Sequence, residues 1–323
     1  MKKSKNGEWH ASMEELVSSF PFFQFGVVKA AATATLRKLC ASKEKINLLW
    51  EECQAYAAAN DMSPHTVFAA QYLYDYAQLS VAQSPQACTV GSYKGHFVRY
   101  LDWAIPDEVG KFTEVQDREY VVKKYRAVGF PGFFGLVTAV SDELCFAMNQ
   151  MPCESIDKRG VPATYWARLF YERVLRRQRG DKTRLVFSVT NILGLMEKEK
   201  FLPMSSMEIV MSNGNYHVAV AIHPGTEPEV SYSSTEFPLV CANRYTTKQH
   251  TDYNDLMDED CYEFSEEREK QMKYCLRRIA KQADPDEAAE MAISLAEPVS
   301  NEATANITYF DFATKKLAVV MED

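Results

Sequence analysis

The spacing of apolar residues divides the chain into a helical front and a strand-rich remainder. Through about residue 83, apolar side chains fall at helical intervals. We predict four helices there, MEELVSSF, VVKAAATATLRKL, KEKINLLWEECQAYAAA and PHTVFAAQYLYDYAQL. The last follows Ser63, a capping residue type, with Pro64 at the first helical position.

The pattern changes after the polar stretch AQSPQ, residues 82–86. Short β-branched and aromatic runs follow, CTVGSY, HFVRYLDW, REYVVKKYRAV, GFFGLVTAV and CFAM. Gly and Pro separate these runs, which is typical of strands joined by tight connections. We therefore predict that a sheet begins near Cys88.

The second half mixes both patterns. Residues 163–177 and NILGLMEKE indicate helices, and strands return in SMEIVMS, NYHVAVAI and FPLVCANRY. Asn213-Gly214 predicts a type I′ hairpin turn between the first two strands. Residues 252–269 look like an acidic loop, two helices follow (EKQMKYCLRRIAKQ and DEAAEMAISLA), and TANITYFDF and LAVVME close the chain as strands. The predicted class is α+β, with mostly antiparallel strands and helices packed on them.

Composition narrows the possible partners. The 323 residues are 46% hydrophobic and 25% charged, as in a folded globular protein. A net charge of −8 argues against nucleic acid as a partner. The apolar stretch PFFQFGVVKAAATATL is interrupted by Gln24 and Lys29, so we expect no membrane span. The start of the chain lacks the pattern of a secretory signal, which favours a cytoplasmic location.

Eight cysteines are scattered without CxxC pairs. Their spacing argues against structural zinc, and we expect neither a metal nor another cofactor. In a reducing compartment most of them are small buried hydrophobes. Only a special neighbourhood makes one of them a nucleophile.

The stretch ACTVGSYKGHFVRYLDW, residues 87–103, offers such a neighbourhood. A two-residue loop at Lys94-Gly95 places Cys88 opposite Leu101, beside Arg99 and Asp102. An arginine near a cysteine favours the reactive thiolate, and an aspartate can orient an amine or imidazole donor. Regular alternation puts the arginine and the aspartate on opposite faces, unless one lies at a bend or at the strand end.

The general base is not evident, because no histidine is securely placed beside the cysteine. His96 lies at the turn, and the other five histidines are scattered. One answer is a cut between Ala87 and Cys88. The freed α-amino group, with a pKa of about 7.7 to 8, then serves as the base for its own side chain.

Several short motifs occur in a consistent order from Cys88 to near the end of the chain. They are Cys88-Thr89, Gly95-His96, the run RYLDW at residues 99–103, GFFGLV, AMNQ, CANRY, EER, and PVSN followed by Thr304 and ITYFD. Together they resemble the N-terminal-nucleophile amidases of the choloylglycine hydrolase superfamily, with most likeness to the branch of acid ceramidase and N-acylethanolamine acid amidase.

The resemblance implies a four-layer αββα domain over residues 88–323. Residues 1–87 are then a helical N-terminal segment, a propiece or small subunit. It also implies roles for six residues: Cys88 as nucleophile, Arg99 against the sulfur, Asp102 holding the freed amine, Asn243 as oxyanion donor, Asn149 as a second polar group at that hole, and Arg268 as a buttress. The aromatic content of 12%, with Trp103 by the hairpin, suits an apolar acyl pocket.

Three positions depart from the family's pattern. Tyr100 replaces an asparagine between the arginine and the aspartate, Gln150 replaces a glutamate, and Glu269 replaces a second arginine after Arg268. These changes affect the positioning of a substrate more than they affect the nucleophile.

The implied activity is hydrolysis of a nonpeptide linear amide bond in an N-acylated amine or lipid amide, through a thioester on Cys88. The partner is then a small-molecule N-acyl amide. Two alternatives stay open: an unprocessed binding or scaffolding relative, and an acyltransferase that uses the same cysteine.

Overall fold

The structure is a computed structural model that describes most of the chain. The described residues are 26–80, 88–102, 113–121, 123–177, 189–196, 202–234, 236–246, 251–257, 259–295, 298–301 and 304–321. The predicted helix MEELVSSF, Ala87 and Trp103 lie outside these ranges, so the expectations that concern them stay predictions. No helix among the described residues is both long and apolar enough to cross a bilayer.

The described front of the chain is helical, as its apolar spacing predicts. Its helices are α1 (Gly26–Leu39), α2 (Lys43–Asn60), α3 (Pro64–Ala70) and α4 (Leu73–Ser80). The run predicted as one helix after Ser63 is therefore two. They separate at Gln71, whose side chain donates to the Gly132 carbonyl at 2.8 Å and accepts from the Phe134 N–H at 2.7 Å.

Twelve strands lie in the described residues and form two sheets. They are β1 (Thr89–Tyr93), β2 (His96–Asp102), β3 (Glu114–Tyr120), β4 (Lys123–Gly129), β5 (Thr138–Val140), β6 (Cys145–Gln150), β7 (Met207–Ser212), β8 (Tyr216–Ile222), β9 (Glu229–Ser234), β10 (Leu239–Cys241), β11 (Thr304–Asp311) and β12 (Lys316–Met321). Sheet A has the order β10-β1-β2-β11-β12, and sheet B runs from β3 to β9 in chain order. All pairs within the two sheets are antiparallel.

The remaining helices cover the outer faces of the sheets. They are α5 (Ala163–Arg177), α6 (Val189–Met196), α7 (Glu259–Ile279) and α8 (Pro285–Ile293), and a 3₁₀ helix spans Thr251–Leu256. The α5 range matches the range predicted from sequence.

Three buried clusters establish the layers. Val90 and Phe97 of sheet A share one cluster with Val210 of sheet B, so the two sheets pack face to face. The other face of sheet A packs on α7 and α8, and the other face of sheet B packs on the front helices, α5 and α6. The order is helices, sheet, sheet, helices. This confirms the predicted α+β class and its four-layer αββα arrangement.

The predicted strand GFFGLVTAV is mostly a loop, and only Thr138–Val140 is extended. Gly132 has a φ of 72°, a value that suits glycine. Gly135 lies so close to α5 that an added Cβ would stand 3.0 Å from the backbone carbon of Thr164. Packing against α5 therefore determines the path of this segment more than local β propensity does.

The acidic stretch predicted as a loop is largely helical. Its first part is the 3₁₀ helix, and α7 begins at Glu259. Acidic residues in the first turn of α7 suit the positive end of the helix dipole. The buried face includes Arg268 and Glu269, which a search for apolar residues alone overlooks.

The two predicted hairpin turns differ in outcome. Lys94 and Gly95 both have positive φ and connect the Tyr93 and His96 pair, as expected for a type I′ turn. The second turn lies one residue later than predicted, with Gly214 and Asn215 at its centre. Only Gly214 has positive φ there, which fits a type II′ turn.

Charged side chains fasten the front helices to the rest of the fold. Arg168 of α5 forms a two-bond ion pair with Glu52 of α2, both contacts at 2.9 Å. Asp75 of α4 accepts from the Ala163 N–H at 3.0 Å and from the Ser205 hydroxyl at 2.6 Å. The described front helices are therefore part of the folded unit.

We expect Gly135→Ala to lower the free energy of unfolding by about 1 to 3 kcal/mol, because the new methyl group overlaps Thr164. Gly129→Ala is the matched control, since nothing lies within 4 Å of its added Cβ. Urea unfolding of both variants measures the difference. Equal midpoints would contradict the close contact.

Burial raises the pKa of Asp75 to about 7, from an ordinary 3.8. Between these values the folded chain binds the proton more tightly than the unfolded chain. This contribution to stability is therefore complete at low pH and is lost as pH rises through about 7, with a slope of at most about 1.4 kcal/mol per pH unit. We expect wild type to lose more stability than Asp75→Asn over that rise in urea titrations. Parallel losses would refute this.

Candidate active site

Cys88 lies immediately before β1, an interior strand of sheet A between β10 and β2. The β1 and β2 register pairs Thr89 with Tyr100, so Cys88 lies opposite Leu101, as predicted. On the other side Val90 pairs with Cys241. Extending that register by two residues brings Asn243 across from Cys88. The sulfur-bearing residue thus lies between β2 and the chain that follows β10, with only 1% of its surface exposed.

Arg99 is fully buried, and its guanidinium reaches the sulfur. Nη2 donates to Cys88 Sγ at 3.1 Å and to the Met148 carbonyl at 2.9 Å. Nη1 donates to Asn149 Oδ1 at 2.6 Å and to the Tyr100 carbonyl at 3.0 Å. The predicted contact between Arg99 and the sulfur is present, and the sulfur in turn donates to the Asp102 carbonyl at 3.2 Å.

Asn149 is fully engaged with protein groups. Besides accepting from Arg99, its Nδ2 donates to the Cys241 carbonyl at 3.2 Å and to the Ala242 carbonyl at 3.1 Å. An amide nitrogen has only two hydrogens, so both are used. These contacts hold Arg99 and the chain after β10, and the role of Asn149 as a second polar group at the oxyanion hole stays a prediction.

Asp102 lies at the end of β2, on the face opposite Arg99. Val98 and Tyr100, which share its alternation, pack on the helix side of sheet A, whereas Arg99 contacts sheet B. The alternation of β2 therefore continues to Asp102, and the register irregularity beside it lies on β11, between Thr304 and Asn306. The carboxylate accepts from Thr304 Oγ1 at 2.6 Å and from Asn301 Nδ2 at 2.9 Å.

Arg268 of α7 reaches the backbone of the same cysteine from the helix side. Its Nη1 donates to the Cys88 carbonyl at 2.9 Å and to Thr89 Oγ1 at 2.8 Å, and its Nη2 lies 3.5 Å from Asn243 Oδ1. Only 1% of the residue is exposed. Burial lowers its pKa to about 10, against the opposing effect of Asp102. Burial likewise raises the pKa of Asp102 to about 6, while hydrogen bonds and the two arginines act in the opposite direction.

Asn243 donates one amide hydrogen to the Gln150 carbonyl at 2.8 Å. Its Nδ2 carries a second hydrogen, and the β1–β10 register places the residue across from Cys88. A role for this hydrogen as donor to an oxyanion beside the sulfur stays a prediction.

Sequence reasoning assigned no role to three residues at or near the site. Thr304 and Asn301 both donate hydrogen bonds to the Asp102 carboxylate. Both lie in the closing sequence motif, which could have indicated their role. Glu208 of β7 pairs with Asn149 across the strands and is buried, which raises its pKa to about 8. Glu208 lies two residues before Val210, whose side chain packs between the two sheets. Strand alternation could therefore have predicted that Glu208 points to the same side.

His96, at the hairpin turn, and His217 lie on strands β2 and β8 and bond away from the sulfur. His96 Nδ1 lies 2.9 Å from the Tyr309 hydroxyl, and His217 Nδ1 lies 2.9 Å from the Ser212 hydroxyl. Both rings are thus engaged by hydroxyl groups of neighbouring strands.

Comparisons with known proteins give matches in structure only. No protein-family model matches the chain, and no curated protein does so. Among 23 solved chains that match is the Caenorhabditis elegans N-acylethanolamine-hydrolyzing acid amidase ortholog. It is 15% identical with a TM-score of 0.45, and the match covers 73% of this chain and 100% of that chain. A likeness of this degree carries no information about substrate.

We expect Arg99→Lys to slow alkylation of Cys88 by iodoacetamide by at least about 10-fold at fixed pH, because an ammonium cannot replace the four directed bonds. Peptide mapping by mass spectrometry measures the labelling of Cys88 itself.

Arg118→Lys is the matched control. Arg118 also donates to backbone carbonyls, those of Phe133, Phe134 and Gly135, but it has no bond to Cys88. This variant should lose stability and keep the alkylation rate of wild type. Equal slowing in both variants would show that the Arg99 effect is a general loss of packing.

Proposed function

We propose that this chain is a cysteine amidohydrolase of the N-terminal-nucleophile class, and that it cleaves a nonpeptide linear amide in an N-acylated amine or lipid amide. One observation carries the proposal. A buried sulfur at the start of a central strand lies 3.1 Å from one guanidinium, and the carbonyl of the same residue lies 2.9 Å from another. The nature of the acyl group and of the amine rests on the family resemblance of the motifs.

Activation is proposed to be a self-cleavage between Ala87 and Cys88. The sulfur attacks the carbonyl carbon of Ala87, a carbon–sulfur bond forms, and the carbon–nitrogen bond breaks as the thiol proton passes to the leaving nitrogen. Water then hydrolyses the thioester and leaves a carboxylate on Ala87. Cys88 becomes an N-terminal residue with a free thiol and a free amine.

Arg268 supports this step from the other side of the peptide. Its bonds to the Cys88 carbonyl and to Thr89 hold the backbone of the nucleophile rigid. Arg99 meanwhile holds the sulfur. The side chain and the main chain of Cys88 are thus fixed separately, which is the kind of preorganisation that an intramolecular attack needs.

Turnover of an external amide uses the same groups. The α-amine, with a pKa of about 7.7 to 8, takes the thiol proton, and the thiolate adds to the substrate carbonyl. The Asn243 amide donates to the oxyanion, an interaction worth about 2.7 to 4 kcal/mol in other enzymes. The amine product leaves with the proton, and water releases the acyl group from the thioester as a carboxylic acid.

Asp102 is proposed to hold the freed amine. It lies at the end of β2 on the helix face, where its carboxylate is already fixed by Thr304 and Asn301. The proposed place of Trp103 beside the acyl group rests on its position after Asp102 in the sequence.

We expect purified wild type to give two polypeptides, residues 1–87 and 88–323, in intact-mass analysis. They should elute together in size exclusion, because Glu52 and Asp75 fasten the first fragment to α5. Cys88→Ala should remain a single chain and lose all turnover of fluorogenic N-acyl amides. Cys153→Ala, which removes a partly exposed thiol, should be processed and active.

Two outcomes would favour a different function for the chain. A single full-length wild type with an unreactive Cys88 would favour the binding or scaffolding alternative. Formation of a new amide when amines are added to the substrate, at the expense of free acid, would favour the acyltransferase.

A further inference from the structure

The chain that follows β10 carries an arginine directly after the proposed oxyanion donor, Asn243. The Arg244 guanidinium reaches α7, where Nη2 donates to Glu269 Oε2 at 3.0 Å and Nη1 donates to the Tyr262 hydroxyl at 3.2 Å. A second carboxylate, that of Glu266, lies 4.0 Å away and is more exposed. The Arg244 side chain is 13% exposed and that of Glu269 only 2%, so their ion pair is largely shielded from water. The proposed reaction assigns no role to this pair.

Two consecutive residues of α7 reach two different parts of the site. Arg268 donates to the Cys88 carbonyl at 2.9 Å, and Glu269 accepts from Arg244. Successive side chains of an α-helix project about 100° apart, so the two contacts lie in different directions. The helix therefore connects the backbone of the proposed nucleophile to the segment that carries the proposed oxyanion donor.

The backbone on either side of Asn243 is held by other contacts. Asn149 donates to the two backbone carbonyls just before it. Asn254 of the 3₁₀ helix accepts from the Tyr245 N–H and donates to the Tyr245 carbonyl, both at 2.8 Å. Arg244 lies between these two anchors and adds a third, to α7.

The side chain of Asn243 has one short hydrogen bond, which Nδ2 donates to the Gln150 carbonyl at 2.8 Å. Its Oδ1 lies 3.5 Å from Arg268 Nη2, a long contact. The direction of the amide therefore depends on where the backbone of residue 243 lies. A displacement of about 1 Å in a catalytic group can cost about 100-fold in rate, so contacts that fix this backbone matter for the reaction.

The ion pair also accounts for a departure from the resembled family. The family has a second arginine after Arg268, and this chain has Glu269 there. An arginine at that position would face the Arg244 guanidinium, and two like charges in a largely buried place repel each other. The glutamate at 269 and the arginine at 244 are therefore matched to each other.

Lys273 provides a control on the same carboxylate. Its Nζ lies 3.5 Å from Glu269 Oε2, one helical turn further along. This contact stays within α7, whereas the contact of Arg244 joins α7 to the segment after β10. Removing either cation takes one positive charge from Glu269, but only one of the two changes affects that segment.

We propose that Arg244 and Glu269 are positioning residues that fix the Asn243 amide relative to Cys88. The proposal rests on the proposed function in taking Asn243 as the donor to the oxyanion. In this arrangement α7 places both parts of the site, the backbone of the nucleophile through Arg268 and the donor segment through Glu269.

The first test needs no substrate. Hydrogen–deuterium exchange, measured by mass spectrometry on peptides that cover residues 241–246, compares wild type with Glu269→Arg, Arg244→Glu and the double variant that swaps the two charges. Each single variant brings two like charges together, so we expect at least about 10-fold faster exchange in these peptides. The swapped pair should return to within about 3-fold of wild type, and Lys273→Met should stay within that range.

Unchanged exchange in the single variants would overturn the proposal, and so would a double variant that exchanges as fast as Glu269→Arg. Thermal unfolding monitors folding of every variant. Glu269→Gln, which keeps the shape of the side chain and removes only its charge, gives the same comparison if a like-charge variant does not fold.

Kinetics with an active wild type separate positioning from stability. We expect kcat of Glu269→Arg to fall by at least about 10-fold while KM stays within about 2-fold, because the oxyanion forms only after the substrate has bound. The swapped variant should recover most of kcat. Alkylation of Cys88 by iodoacetamide should stay within about 2-fold of wild type throughout, because that reaction forms no oxyanion.

An unchanged kcat in a variant with faster exchange would overturn the positioning role. A wild type that hydrolyses no amide would refute the proposed function alone, and the exchange comparison would then decide whether the ion pair fixes the segment that carries Asn243.

Discussion

The burial of one guanidinium is the constraint on which the site depends. Arg99 has no exposed surface, and a charge in that position is tolerated only when polar partners replace water. Its partners come from three places: the Tyr100 carbonyl on its own strand, Met148 and Asn149 on the facing sheet, and the Cys88 sulfur. Because these acceptors lie on both sheets, the charge can be buried only when the sheets face each other in this relative position.

The balance of charge around the sulfur follows from the same constraint. Arg99 and Arg268 bring two positive charges, and Asp102 contributes one negative charge near them. The attraction between these opposite charges offsets part of the cost of burying them. The carbonyls and amides around the two arginines, Asn149 among them, orient the guanidinium groups without changing this sum.

The local part of this site was predictable, and the long-range part was not. The Lys94-Gly95 turn and strand alternation sufficed to place Arg99 beside Cys88, because both lie within one hairpin. The position of Asn243 depends on a hydrogen bond to the Gln150 carbonyl, 93 residues away in the chain, which no local pattern encodes. The path of GFFGLV depends on the space that Thr164 leaves to Gly135, and α7 buries Arg268 where apolar spacing gives no signal. The sequence also does not show that backbone carbonyls accept both amide hydrogens of Asn149, because this depends on distances in the folded chain.

The short turn between β1 and β2 also limits how this region can diverge in evolution. Tyr93 and His96 pair directly across Lys94 and Gly95. Inserting or deleting a single residue after the turn would rotate every following side chain of β2 to the other face, so that Arg99 would meet α7 and Tyr100 would meet the facing sheet. Homologues that keep this chemistry should therefore tolerate length changes here only in steps that preserve the alternation, or absorb an odd residue in a bulge.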